Sequence, residues 1–222
     1  MFRVICIVIG YFFGCFQTSY ILGKLTENID IRDYHSGNAG MTNTVRVLGP
    51  KAGIIVLVCD ILKSVLCFLL CVYIFDGSFA YRAGGELGFL PGLYGAFGVI
   101  LGHNFPVFLK FKGGRGISST IGLILIFDWR ISLVLFFICI PCLLISNIVS
   151  LSALAMALFF PLLAVLFGHS AETCAVCFVI SAFAFYRHRG NIGRLIAKNE
   201  RTLFKEAPYK KLLRLFKKEV KK

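Results

Sequence analysis

The 222-residue sequence predicts an all-α fold, a polytopic membrane helix bundle of about seven transmembrane helices, the fourth of them short. The N-terminus is expected outside and the C-terminus in the cytoplasm. Three observations carry this reading. Hydrophobic residues make up 58% of the chain and charged ones only 16%, against about 25% charged in a soluble domain. The apolar residues fall in runs of membrane-spanning length, and the cations fall between and after those runs. Ordinary globular, disordered and collagen-like classes are thereby excluded.

The apolar runs are 4–23, 53–75, 88–109, 117–128, 131–146, 150–168 and 171–186. A bilayer core requires about 20 apolar residues, fewer where a helix is buried among neighbours. The first run lacks a small-x-small cleavage site and continues to Leu22, so it is read as a retained span. Asp128-Trp129-Arg130 divides what would otherwise be one run of excessive length, and 168–172 divides the last two; both are expected turns. Five or six spans is the competing count.

The charges test the threading. With seven spans and an outside N-terminus, 20 of the 24 Lys and Arg fall on the inner side, among them Lys24, Arg32, Arg46, Lys51, Lys110, Lys112 and Arg115. Only Arg3, Arg82 and Arg130 fall outside, as the positive-inside rule requires. Thirteen cations lie from Arg187 onward. The net charge of +13 therefore points to an anionic inner leaflet and not to nucleic acid. Residues 1–200 form one transmembrane domain. Residues 201–222 form a basic tail, in which Tyr209, Leu212, Leu213, Phe216 and Val220 recur at helical spacing, an amphipathic helix for the membrane surface.

The nine cysteines sit in apolar runs, where a thiol is a small hydrophobe, so no disulfide framework is expected. Cys139-x-x-Cys142 and Cys174-x-x-Cys177 occupy different spans and lack the His, basic or turn residues of a zinc or redox site. No metal and no cofactor is expected.

Three polar segments converge on the cytoplasmic side. The first, Ser36-Gly37-Asn38-Ala39-Gly40-Met41-Thr42-Asn43-Thr44-Val45-Arg46, combines close-approach glycines, short donors and a guanidinium suited to phosphate. Thr42 or Asn43 is expected to cap a short helix that Gly49-Pro50 ends. The second runs from Gly102-His103-Asn104 to Lys112-Gly113-Gly114-Arg115-Gly116, a phosphate cradle opening the next helix. It is not a Walker A loop, so ATP is not implied. His103, in an apolar helix, requires a partner. The third is Arg187-His188-Arg189-Gly190-Asn191-Ile192-Gly193-Arg194, followed by Glu200. If helical throughout, Arg187, Asn191 and Arg194 share a face, and Glu200 is an ion-pair partner. Asp60 and Lys63, at i and i+3 inside a span, can neutralise each other.

Together these segments resemble the bacterial integral-membrane glycerol-3-phosphate acyltransferases that use acyl phosphate as donor. The family motifs run S-G-N-x-G-A-T-N-x-x-R-x-L-G, G-H-x-F-P-V-F-L-x-F-K-G-G-K-G and R-H-R-x-N-I-x-R-L-x-x-G-x-E. Residues 36–49, 102–116 and 187–200 match them in order and spacing, with departures at Met41, Arg115, Gly190, Gly193 and Lys198. Arg115 keeps the charge of the usual lysine and cannot release a proton.

The resemblance implies transfer of a fatty acyl group from acyl phosphate to the 1-hydroxyl of glycerol 3-phosphate in a bacterial cell membrane. The product would be lysophosphatidic acid, in the first acylation of phospholipid synthesis. It implies catalytic roles for Ser36, Arg46, His188 and Asn191, glycerol 3-phosphate binding by the glycine loop, and a structural role for Glu200. Substrate contacts are expected from Gly37, Asn38, Gly40, Thr42, Asn43, Lys63, His103, Lys112, Gly113, Gly114, Arg115, Gly116 and Arg187, with Asp60 structural. His188, His103 and the donor's own phosphate all qualify as proton acceptor. The alternative function is a membrane transporter for an organic phosphate anion, although no inverted repeat is visible.

Overall fold

The computed structural model describes residues 1–76 and 85–203; the amphipathic tail read at 209–220 lies outside the described residues. The described chain is all helix and turn. Its helices are α1 (Phe2–Gly14), α2 (Thr18–Glu27), α3 (Met41–Leu48), α4 (Pro50–Asp76), α5 (Gly85–Asn104), α6 (Ile117–Phe127), α7 (Trp129–Ser146), α8 (Val149–Leu166), α9 (Ala171–Arg187) and α10 (Arg189–Ile196).

Each of the seven apolar runs falls on helix. Five stretches are long and apolar enough to cross a membrane: Phe2–Glu27, Pro50–Phe75, Gly88–Leu109, Trp129–Ser146 and Val149–Leu166. Helix α6, with 11 residues, and α9, with 17, are not among them. The first run departs from expectation. It is not one helix but two, broken at Gln17, whose buried amide donates to Gly14 O and His103 O, both at 3.0 Å. A side-chain bond from Gln17 to the end of α5 thus replaces helical bonding, which apolar periodicity does not register.

Helices α1 and α5 cross through glycine. A Cβ at Gly98 would collide with Ile7 O, one at Gly102 with Tyr11 O, and one at Gly10 with Gly95 O. Among apolar helices in lipid, close backbone approach and van der Waals contact replace the hydrophobic drive, and small residues permit it. Around this pair, Phe68, Leu93, Ile100, Leu123, Ile131, Phe160 and Ile180 from α4 to α9 form a fully buried core.

One end of the bundle is closed by polar ties. Arg3 donates twice to Glu172 (2.6 and 2.8 Å), which also accepts from Tyr94. Asp128 caps α7 through Arg130 N and holds His169 at 3.0 Å, joining the two expected turns. Ser170 caps α9 by accepting from Thr173 N. With its start fixed here, α9 delivers Arg187 and His188 to the opposite end, where the three polar segments lie.

Candidate active site

The first segment is organised by Asn43. Its Oδ1 accepts from Ser36 N (3.1 Å) and Ser36 Oγ (2.9 Å), and its Nδ2 donates to Ile31 O (2.9 Å) and Tyr34 O (3.2 Å). The amide is thus fully used in holding the loop. The cap of α3 is Gly40, not Thr42 or Asn43, which lie inside the first turn. Asn43 cannot cap because its side chain is committed to the preceding loop. Thr44 Oγ1 donates to Gly40 O and meets Ser19 Oγ of α2 at 2.8 Å. At the far end of α3, Arg46 donates to Thr202 O at 3.2 Å. Burial lowers the Arg46 pKa.

The glycine loop folds back onto the end of α5. Gly114 N donates to His103 O at 2.9 Å, and Gly113 N to Asn104 O at 3.3 Å. Gly116, at φ +77°, makes the left-handed entry into α6 that a side chain would strain. From outside, Arg32 donates to Leu109 O (3.0 Å) and Lys112 O (3.1 Å), itself gripped by Asp30 at 2.6 Å. Burial, with Arg194 close by, pushes the Arg115 guanidinium down to about 10.

The third segment is not one continuous helix. Helix α9 ends at Arg187, the chain bends at His188 (φ −98°, ψ 6°), and α10 begins at Arg189. Arg187 therefore lies on a different helix from Asn191 and Arg194, and the three do not share one helix face as expected. Instead Arg187 donates to Gly114 O at 2.6 Å with its guanidinium over the Phe105 ring, while Asn191 and Arg194 each donate to one Glu200 oxygen at 2.8 Å. His188 Nδ1 lies 2.8 Å from Ala184 O. A carbonyl only accepts, so Nδ1 carries the proton and Nε2 presents a lone pair. Burial pushes His188 down to about 4.

Asp60, Lys63 and His103 form a buried cluster. Lys63 Nζ reaches Asp60 Oδ1 (2.7 Å), His103 Nδ1 (2.9 Å) and Phe16 O (3.0 Å). The ammonium is thereby surrounded inside the protein by a carboxylate, a ring nitrogen and a backbone carbonyl.

Two cavities open among these segments. The smaller, about 400 Å³, is walled by Gly37, Asn38, Lys112, Gly113, Arg115, Arg187, Arg189, Asn191 and Arg194. The larger, about 480 Å³, has a polar end of Ser36, Gly40, Thr42, Asn43, Arg46, Asp60, His103, Gly116, His188 and Glu200, and an apolar end of Ile124, Leu135, Phe136, Ile140 and Met156 from α6 to α8. Asn38, Arg115, Asn191 and Arg194 belong to both walls. Of the residues expected at the site, only Lys63 and Gly114 line neither cavity; Lys63 stands behind His103, and Gly114 contributes its carbonyl to Arg187. Sequence reasoning missed Gln17 and Arg32 as supports of this end, although the Asp30-x-Arg32 spacing was a readable signal. Among the described residues, no group of three or more His, Cys, Asp and Glu is placed to hold a metal ion.

The family profile described as glycerol-3-phosphate acyltransferase matches residues 4–198. A glycerol-3-phosphate acyltransferase of Thermoanaerobacter sp. (strain X514) is 36% identical over 203 residues, covering 91% of this chain and 96% of the relative. One from Alkaliphilus metalliredigens (strain QYMF) is 39% identical over 203 residues, covering 91% and 97%. Among solved structures, the chain is similar to PlsY (YgiH), an integral membrane glycerol 3-phosphate acyltransferase. Its glycerol 3-phosphate form superposes with a TM-score of 0.78 and its lysophosphatidic acid form with 0.75, each at 28% identity over 90% of this chain and 94% of that one.

Proposed function

The chain belongs to the glycerol-3-phosphate acyltransferase family, and we propose that this membrane acyltransferase takes its acyl group from acyl phosphate and delivers it to the 1-hydroxyl of glycerol 3-phosphate. The carrying observation is the pair of cavities with a common wall of Asn38, Arg115, Asn191 and Arg194. The small one, rimmed by cations, suits a compact phosphorylated alcohol. The large one, cationic at one end and apolar along α6 to α8, suits a phosphate carrying a hydrocarbon chain.

Acyl phosphate is already activated, so the protein's task is alignment and stabilisation of developing negative charge. Lys112 and Arg187 hold the glycerol phosphate, Arg46 holds the donor phosphate, and Arg115 at the shared wall serves both. The 1-hydroxyl hydrogen-bonds to His188 Nε2 and attacks the acyl carbon. A carbon–oxygen ester bond forms, the bond from acyl carbon to phosphate oxygen breaks, and the hydroxyl proton leaves on inorganic phosphate. Ser36 and Asn191 orient the reacting groups. Asn43 is a positioning residue, since all its hydrogen-bonding capacity holds the loop that carries Ser36. The Ser36 hydroxyl donates to Asn43, and among the described residues no histidine meets it, so a Ser36 acyl-enzyme has no base beside its nucleophile.

In this reading the chain crosses a bacterial cell membrane seven times, α6 and α9 among the spans, and the site faces the cytoplasm. The cation asymmetry supports that orientation. The basic tail then lies on the anionic inner leaflet. The test is purified protein in nanodiscs with glycerol 3-phosphate and either acyl phosphate or acyl-CoA. Lysophosphatidate and inorganic phosphate formed in equal amounts from acyl phosphate are expected; product from acyl-CoA alone, or uptake without product, overturns the reading.

A further inference from the structure

Lys63, His103 and Asp60 make a chain of contacts that the proposed chemistry above does not use. The Lys63 ammonium can only donate, and it lies 2.9 Å from His103 Nδ1. Nδ1 must therefore accept, and the ring proton resides on Nε2. Asp60 pairs with the lysine at 2.7 Å inside an apolar span, its Oδ1 also 3.7 Å from His103 Nδ1, and Phe16 O accepts from the ammonium. The ring is further fixed from its backbone, where His103 O accepts from Gln17 Nε2 and Gly114 N.

Nε2 occupies the space that a Cβ on Gly114 would fill. Among the described residues, no protein acceptor meets it, and His103 lines the larger cavity beside Arg115 and His188. A neutral N–H without a protein partner, on a histidine that lines the cationic end of a cavity, is suited to an anionic or developing-anion oxygen. The two site histidines thus present opposite faces: His188 offers a lone pair and His103 a proton.

We propose that His103 donates a hydrogen bond through Nε2–H to an oxygen of the bound acyl phosphate, and that Lys63 is the positioning residue that fixes this tautomer. This rests on the acyltransferase reading for the identity of the ligand, but the tautomer does not. It also removes His103 from the candidates for proton acceptor, because its one lone-pair nitrogen is already occupied by Lys63.

Two measurements test it. The chain has four histidines, so ¹⁵N-histidine labelling with assignment by single His→Gln variants resolves each ring. His103 is expected as the Nε2–H tautomer at pH 7, and Asp60→Asn/Lys63→Met is expected to release it toward Nδ1–H. An Nδ1–H ring or an imidazolium in the wild-type protein overturns the proposal. In turnover at saturating glycerol 3-phosphate, His103→Leu is expected to lose about 10²–10³-fold in kcat. His103→Gln, which keeps an amide donor, should recover at least about tenfold of that loss. Equal loss in both variants, or a fully active His103→Leu, contradicts it. If His103→Leu does not fold, the wild-type tautomer still decides. A wild-type protein inactive with acyl phosphate sinks the acyl-phosphate reading and with it the ligand assigned to His103, while the tautomer result still judges Lys63 as its positioning residue.

Discussion

The Arg187 guanidinium donates to the carbonyl oxygen of Gly114 across 2.6 Å. The last residue of α9 thereby holds the glycine loop that precedes α6, joining segments 73 residues apart in sequence. Because Arg187 also walls the smaller cavity, one side chain shapes the loop and charges the site. Arg187→Ala should raise the KM for glycerol 3-phosphate by about tenfold or more, as expected for loss of a charge-assisted bond of about 1.5–3 kcal/mol. Steady-state kinetics at saturating acyl phosphate provide the check, and an unchanged KM would refute the loop-holding role.

Gly114 has no room for a side chain. A methyl there would strike His103 Nε2 and lie 2.7 Å from Ala39 O. Gly114→Ala should cost about 10²-fold or more in kcat/KM, the scale of a small misplacement at a reacting centre. Gly193, in α10, has nothing within 4 Å of the same position. Gly193→Ala should keep its activity and gain about 0.4–1 kcal/mol of stability. Similar activities for the two variants would contradict this contrast.

Glu200 bonds Asn191 with one oxygen and Arg194 with the other. Both partners stand in the wall common to the two cavities. Glu200→Ala should therefore lower the unfolding temperature and reduce turnover together, whereas Glu200→Gln, which retains an acceptor, should lose less of each. Thermal unfolding in detergent and turnover of the two variants test this; full stability with lost activity would assign Glu200 to the chemistry.

The His188 pH dependence has a definite sign. Burial lowers its pKa from 6.5 to about 4, so the folded protein keeps it neutral where the unfolded chain would protonate it. Its contribution to stability is full above pH about 6.5 and is lost as pH falls toward about 4. The accepting lone pair on Nε2 should accordingly persist throughout that window. A ¹⁵N titration of His188 with a midpoint near 4 is expected, and a midpoint above 6 would contradict the buried neutral ring.

Much of this architecture was legible in the chain. The seven apolar runs, the turns at Asp128 and Ser170, and the meeting of three polar segments at one end follow from hydropathy and from short polar residues placed between runs. What escaped sequence reasoning depends on partners distant in sequence. Gln17 interrupts the first run because His103 O and Gly14 O receive its amide. His188 ends α9 although no proline or glycine marks the break, and Asn43 serves the loop before α3 in place of capping that helix. Lys63 reads as a cation for substrate until its ammonium is found fully engaged by Asp60, His103 and Phe16 O. Local pattern specifies a helix; it does not specify what the helix's polar side chains will meet.

The claim that two adjoining cavities divide the reactants is tested most directly by a paired KM measurement. Lys112 walls only the smaller cavity and Arg46 only the larger. Lys112→Ala should raise the KM for glycerol 3-phosphate and leave that for acyl phosphate near wild type, and Arg46→Ala should do the reverse. Equal shifts of both constants in both variants, or the opposite assignment, would contradict the account.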